Sequence, residues 1–208
     1  MSYQPKYTSE AKVESLLQTS IDENSTPNSS ELLELIKRVE AEMDLRRLGS
    51  YTAEDELVDA DGSNYIQPNN LPIISVQSLY ENEADLDKPP NYKQKLEGPG
   101  ENTSFLIVKR EFAGKLLGVG LYFYGGAPKA GRARLKITYQ YGFNFPKPLL
   151  EEYATKRVAL EVLQIRAASE TYNVNLAEGP LASLYRELKE RVKQLDEFFG
   201  KFESWIRG

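Results

Sequence analysis

Ten consecutive residues, Arg132 to Tyr141, alternate between apolar and polar without a break. Ala133, Leu135, Ile137, Tyr139 and Tyr141 fall on one side, and Arg132, Arg134, Lys136, Thr138 and Gln140 on the other. A period of two belongs to an extended strand, because successive side chains of a pleated backbone point to opposite faces. The pattern predicts an antiparallel sheet with one covered and one polar face. A chain built around such a strand is not an all-helical bundle. Gly142 and Pro146 close the β region after it. Before it, Leu71–Tyr80 opens on Pro72, which suits a strand start or an edge, and Phe105–Arg110 and Leu116–Tyr124 are two further strand runs. Asp61-Gly62 reads as a hairpin turn between Glu56–Asp59 and Asn64–Gln67. The stretch Asp85 to Asn102, with Pro89, Pro90, Gly98, Pro99 and Gly100, reads as a long excursion from the sheet.

On both sides of this region the period returns to that of a helix. A short first helix has Thr8 as its N-cap and carries Val13, Leu16 and Leu17. After a polar linker containing Pro27, Asn28 with Glu31 gives a capping-box start. Leu32, Leu35, Ile36, Val39 and Met43 then form one apolar face, and Gly49 ends the helix behind Arg46 and Arg47, which suit its negative end. A third helix runs from about Lys147 to Ala168 and is apolar on more than one stripe, with Glu151 and Glu152 in its first turn. A break at Asn173–Gly179 leads to a fourth, opened by Pro180. Its Leu181, Tyr185, Leu188, Val192, Leu195, Phe199, Phe202 and Ile206 follow an unbroken heptad pattern. The expected fold is α+β. Residues 1–50 and 146–208 build a helical core, and 51–145 form an inserted antiparallel β-sheet region.

What the chain lacks bounds its chemistry. Its 208 residues contain neither histidine nor cysteine. That removes disulfides, thiolate nucleophiles, Ser-His-Asp catalysis and every imidazole or thiolate metal site. Carboxylates, Lys, Tyr and Arg remain for acid–base work, or oxygen ligands for a hard cation. Gly118-Val119-Gly120 is half of a phosphate-loop fingerprint with no helix after it, and reads as hairpin or bulge glycines. The acidic stretch Glu54, Asp55, Glu56, Asp59, Asp61 misses the calcium-loop positions when Gly62 is set at the sixth, and reads as a solvated turn. Glu151 and Glu152 point in different directions on a helix and make a poor acid–base pair. These residues predict no cofactor, no metal and no enzyme. No apolar run reaches the ~20 residues of a membrane span. The polar start, Met1 to Lys12, predicts no secretory signal, which leaves the sequons at Asn24, Asn28 and Asn102 without a role. The net charge of −5 argues against wholesale coating of nucleic acid.

Two surfaces remain as candidates. Arg132, Arg134 and Lys136, with nearby Lys129, would line one side of a strand. They form either a solvated face or a contact with phosphates or an acidic neighbouring subunit. The terminal aromatic group Phe198, Phe199, Phe202 and Trp205, with Leu195, either completes the helix's own core or docks a partner, since aromatic anchors concentrate binding energy.

Three local features carry a resemblance. Tyr7-Thr8-Ser9-Glu10 with Val13 and Leu16-Leu17 leads to the helix Glu31 to Asp44. Leu71-Pro72-Ile73-Ile74-Ser75-Val76-Gln77-Ser78-Leu79 follows as a strand. Lys136 to Phe143, a strand ending in aromatic-Gly, then precedes Pro146-Lys147-Pro148-Leu149-Leu150-Glu151-Glu152-Tyr153-Ala154. This order resembles the head–tail connector (adaptor, or head-completion) proteins of tailed phages and related archaeal viruses. The large β insertion departs from their smaller all-helical members. The resemblance implies a non-catalytic virion protein of the head–tail junction neck, made in the host cytoplasm. It would form a homo-oligomeric ring of about a dozen copies below the portal protein, extend the DNA channel and receive a tail or stopper protein, with no membrane partner. The alternative is a cytosolic regulatory or nucleic-acid-binding module dimerising through its C-terminal heptad helix.

Overall fold

The structure, a computed structural model, describes residues 3–85, 88–98, 105–169 and 180–207, leaving aside the side chains of 180, 206 and 207. The sequon at Asn102, the break Asn173–Gly179 and the Ile206 side chain lie outside what it describes. Among the described residues the fold is mixed α+β, with four helices and a seven-stranded antiparallel sheet. The chain divides into a helical unit, 1–48 with 145–204, and a sheet unit, 49–144 with 205–208.

In the helical unit, helix α1 (Glu10–Leu17) is capped by Ser9, whose side chain accepts from the Lys12 N–H, and it closes on Gln18 in the left-handed region. The cap therefore sits one residue beyond Thr8. Thr8 is buried instead, and its hydroxyl meets that of Thr155 at 2.8 Å. Helix α2 (Ser29–Leu45) has the full capping box between Asn28 and Glu31 and buries Leu32, Leu35, Ile36, Val39, Met43 and also Glu40. Arg47, at φ 57°, makes the left-handed turn that was expected of Gly49, and the Leu48 N–H returns to the Met43 carbonyl. Helix α3 (Lys147–Ala168) has Pro148 in its first turn. It buries side chains around most of its circumference, from Leu150 and Tyr153 to Val162, Leu163 and Arg166. Glu151 and Glu152 fall in its second turn, not its first. Helix α4 (Pro180–Arg207) buries its seam at Leu188, Val192, Leu195, Phe199 and Phe202.

The sheet unit contains β1 (Tyr51–Ala60), β2 (Tyr65–Ile66), β3 (Ile73–Asn82), β4 (Tyr92–Lys95), β5 (Phe105–Phe112), β6 (Lys115–Phe123) and β7 (Gly131–Tyr141). The strand order is β1-β7-β3-β6-β2, with β4 on β3 and β5 on β6. Strand β7 lies between β1 and β3, and its Leu135, Ile137 and Tyr139 are fully buried with Leu79, Leu121, Phe123 and Phe105. Asp61-Gly62 does turn the chain, with Gly62 at φ 86°. It does not make a hairpin, because β1 pairs with β7 and β2 with β6. The turn hands the chain from one part of the sheet to another.

Two irregularities in the β1–β7 ladder break the expected alternation. Between Ala53 and Glu56 strand β1 gains a residue on β7, with Asp55 at φ 50°. Between Val58↔Leu135 and Ala60↔Gly131, β7 gains two residues on β1, with Ala133 at φ 48° and its N–H donating to Asp59. A bulge re-aims the side chains that follow it. Here it turns Arg134 inward. In the β5–β6 ladder a shift between Val108 and Lys109 falls opposite Val119, between Gly118 and Gly120. The Tyr65 ring lies on Gly120, with its hydroxyl donating to the Val119 carbonyl at 2.7 Å, and any Cβ there would strike the ring. These glycines serve close packing of the sheet.

Candidate interaction surfaces

The basic strand face differs from its sequence expectation residue by residue. Arg132 is exposed, with no ion pair among the described residues. Arg134 is 5% exposed and donates to the carbonyls of Ala130, Asn82 and Ala84, so it braces a loop instead of presenting charge. Lys136 pairs with Asp55 at 3.0 Å. Lys129 uses its N–H on Glu81, and its ammonium lies 3.9 Å from Asp85. The three cations do not project together, because the β7 bulge separates Arg132 from Lys136. What remains outward and uncommitted is Arg132, with Lys129 half engaged.

The terminal aromatic group also divides. Leu195, Phe199 and Phe202 face into the helical unit and are buried. Phe145 collects them, with ring centroids 5.0 Å from Phe199, 5.1 Å from Phe202 and 5.5 Å from Phe198. Phe198 is 38% exposed and Trp205 is half-buried. Of the candidate docking set, Phe198 and Trp205 therefore hold what surface is left, and the heptad seam is spent on the protomer's own core.

Two polar devices in the helical unit escape a reading by motif. Glu40 is buried on the apolar side of α2, and its carboxylate accepts from the backbone N–H groups of Lys6, Tyr7 and Thr8 and from the Tyr3 hydroxyl. Burial and this carboxylate push the Tyr3 phenol well above its usual value. At the far end of α2, Arg46 reaches Asp196 at 2.6 Å, Glu203 at 2.5 Å and the Tyr153 hydroxyl at 2.9 Å, with its guanidinium over the rings of Tyr153 and Phe199. Desolvation and the hydrogen bond to Asp196 raise the Tyr153 phenol well above its ordinary range.

A third pair gives a pH prediction. Arg191 donates twice to Glu152, at 2.8 and 3.1 Å, and Lys156 pairs with it at 3.0 Å. The Arg191 hydrogen bonds, helped by Lys156, hold the Glu152 carboxyl down to about 2. A carboxyl depressed by folding adds stability above its unfolded pKa of about 4.3 and loses it as pH falls toward the folded value. Both partners are partly exposed, so solvent screening limits the effect to about 1 kcal/mol. Glu152→Gln is expected to lower stability by that amount near neutral pH and by almost nothing near the folded value. Urea midpoints across the acid range check this, and a pH-independent difference would overturn it.

The exposed large apolar side chains of the described residues are mostly on the sheet unit: Leu57, Tyr65, Leu96, Leu116, Tyr122 and Tyr124. Tyr122 and Tyr124 meet edge to face at 5.0 Å. Among the described residues no group of three or more carboxylates is placed to hold a metal ion, and no helix is long and apolar enough to cross a membrane. The sequence matches no protein-family model, and no curated protein matches it.

Proposed function

We propose that this chain is a structural virion protein, a head–tail connector that assembles as a ring of about a dozen copies below the portal protein. It would extend the DNA channel, receive a tail or stopper protein, and act at the neck of the particle after synthesis in the host cytoplasm. The observation that carries the reading is that, among the described residues, most of the exposed large apolar side chains lie on a sheet unit inserted between α2 and α3. Contiguous exposed apolar surface marks a protein partner more often than a solvated face. Tyr65, its register partner Tyr122 and, edge to face on Tyr122, Tyr124 form such a group. The order of elements adds support, since the segments that carry the family resemblance fold as α2, β3 and the β7-to-α3 passage. Partner docking by the C-terminal helix falls to Phe198 and Trp205, and passing contact with DNA falls to Arg132 and Lys129.

The rival reading, a regulatory or nucleic-acid-binding module zippered through α4, asks the seam to leave its own core. Leu188, Val192, Leu195, Phe199 and Phe202 are each 4% exposed or less. Opening that seam to form a dimer would cost the burial it now has, roughly 1.5–3 kcal/mol per large side chain. Co-expression of the full chain with the portal protein of the same virus tests the proposal. Electron microscopy and mass measurement are expected to show portal particles carrying an added ring. A chain that neither binds portal nor associates with itself overturns it.

A further inference from the structure

We infer that consecutive copies of this chain join head to tail through two complementary edges of the sheet unit, β1 of one copy meeting the β5–β6 hairpin of the next. The inference rests on the ring-forming reading above and supplies its subunit contact. Both are terminal strands of the sheet. Among the described residues β1 pairs with β7 alone, and β5 pairs with β6 apart from a single bridge from Phe105 to Glu97.

The two edges carry opposite charge around a matching apolar centre. Strand β1 contains Glu54, Asp55, Glu56 and Asp59 and no cation. Glu56 turns away to Asn69, Asn70 and Tyr139, and Asp59 accepts from Ala133. Glu54 is exposed without a partner among the described residues, and the Asp55 side chain stays 64% exposed beside Lys136. Among them Leu57 is 53% exposed. At the other edge Lys109 and Arg110 are exposed, neither with an ion pair among the described residues, and Glu111 is the single acid of β5. Leu116, the register partner of Glu111, is 69% exposed.

Charge decides the symmetry of the contact. Pairing β1 with β1 would set acid against acid, and pairing the hairpins would set cation against cation. Only the unlike pairing brings Glu54 and Asp55 to Lys109 and Arg110 while Leu57 covers Leu116. Such a contact is heterologous: it leaves one open edge at each end and closes only as a ring, or continues as a filament. The edges do not simply extend the sheet. The bulge on β1, and charged side chains along both edges, are the devices that block ladder pairing. The contact is therefore made by side chains.

The natural absence of cysteine makes the test clean. In the full chain, Leu57→Cys and Leu116→Cys together are expected to give a ladder of dimers, trimers and higher species with a short bis-maleimide, read on a denaturing gel. Each single variant should stay unlinked. Adding Glu54→Lys, or separately Arg110→Glu, should cut the ladder about tenfold, and both in one chain should restore it. Dimers from either single variant would show a contact of like with like and overturn the inference. Portal binding or wild-type self-association by sedimentation, without a ladder, overturns the edge contact and leaves the connector reading standing. No ladder, no self-association and no portal binding overturns both.

Discussion

Replacing Glu40 with alanine is expected to destabilise the protein by about 3–5 kcal/mol, which for a domain of ordinary stability is a large share of the total. The reason is an accounting of donors. Three consecutive backbone N–H groups, of Lys6, Tyr7 and Thr8, end on one carboxylate at 2.8, 2.6 and 3.2 Å, and the Tyr3 hydroxyl joins them. Glu40 is 1% exposed, so removing it leaves the buried Thr8 N–H and the part-buried Lys6 and Tyr7 N–H groups without their acceptor, and a cavity beside α2. Each orphaned donor costs roughly 1–3 kcal/mol, discounted where water reaches the segment. Glu40→Gln keeps one carbonyl oxygen and should recover about half. Chemical denaturation measures the loss, and trypsin cleavage after Lys6, accelerated in the alanine variant, locates it. An alanine variant within about 1 kcal/mol of wild type would show that the segment is held by its apolar contacts instead.

Glu40 also shows which parts of the structure were legible in the sequence. It stands four residues after Ile36 on the face formed by Leu32, Leu35, Ile36, Val39 and Met43. A charged residue on an apolar stripe is a signal, because a lone carboxylate is rarely buried without partners. What no spacing could supply was the partner, the chain's first residues. Several local features transferred, though the α1 cap and the end of α2 each moved by a residue or two. The capping box at Asn28, the limits of α3 and the start of α4 depend on neighbours within a turn, and those neighbours are in the pattern.

Features set by a distant strand or helix did not transfer. Arg132, Arg134 and Lys136 keep perfect period two in sequence, but between Val58 and Ala60 strand β1 opposes two fewer residues than β7 supplies, and Arg134 is carried inside. The Asp61-Gly62 turn was visible, whereas the choice of β7 and β6 as partners, instead of each other, was not. The α4 seam was legible as a seam. Whether it met its own unit or another protein depended on Phe145, 50 residues upstream of Leu195, and on Tyr153.

Arg46→Met is expected to cost about 2–3 kcal/mol and to loosen α4 more than any other element of the helical unit. The guanidinium joins three helices of that unit: it stems from the end of α2, reaches Tyr153 on α3, and holds Asp196 and Glu203 on α4. Those two acids are seven residues apart with Phe199 between them, so one planar fork can satisfy both while stacking on the ring. Methionine keeps most of the apolar stem but leaves two carboxylates facing each other without a counter-charge. Breaking a buried pair this way costs about 3–5 kcal/mol, and the side chains here, 23% exposed for Arg46 and 37% and 25% for the acids, keep enough water to lower that figure. Arg46→Lys should recover little, because a single ammonium cannot span both acids and the Tyr153 hydroxyl. Adding Asp196→Asn and Glu203→Gln to Arg46→Met should regain part of the loss by removing the orphaned charges. Hydrogen exchange of residues 195–203, read with urea denaturation, separates local loosening from global loss. A lysine variant as stable as wild type would mean that charge alone, not the shape of the fork, holds α4 in place.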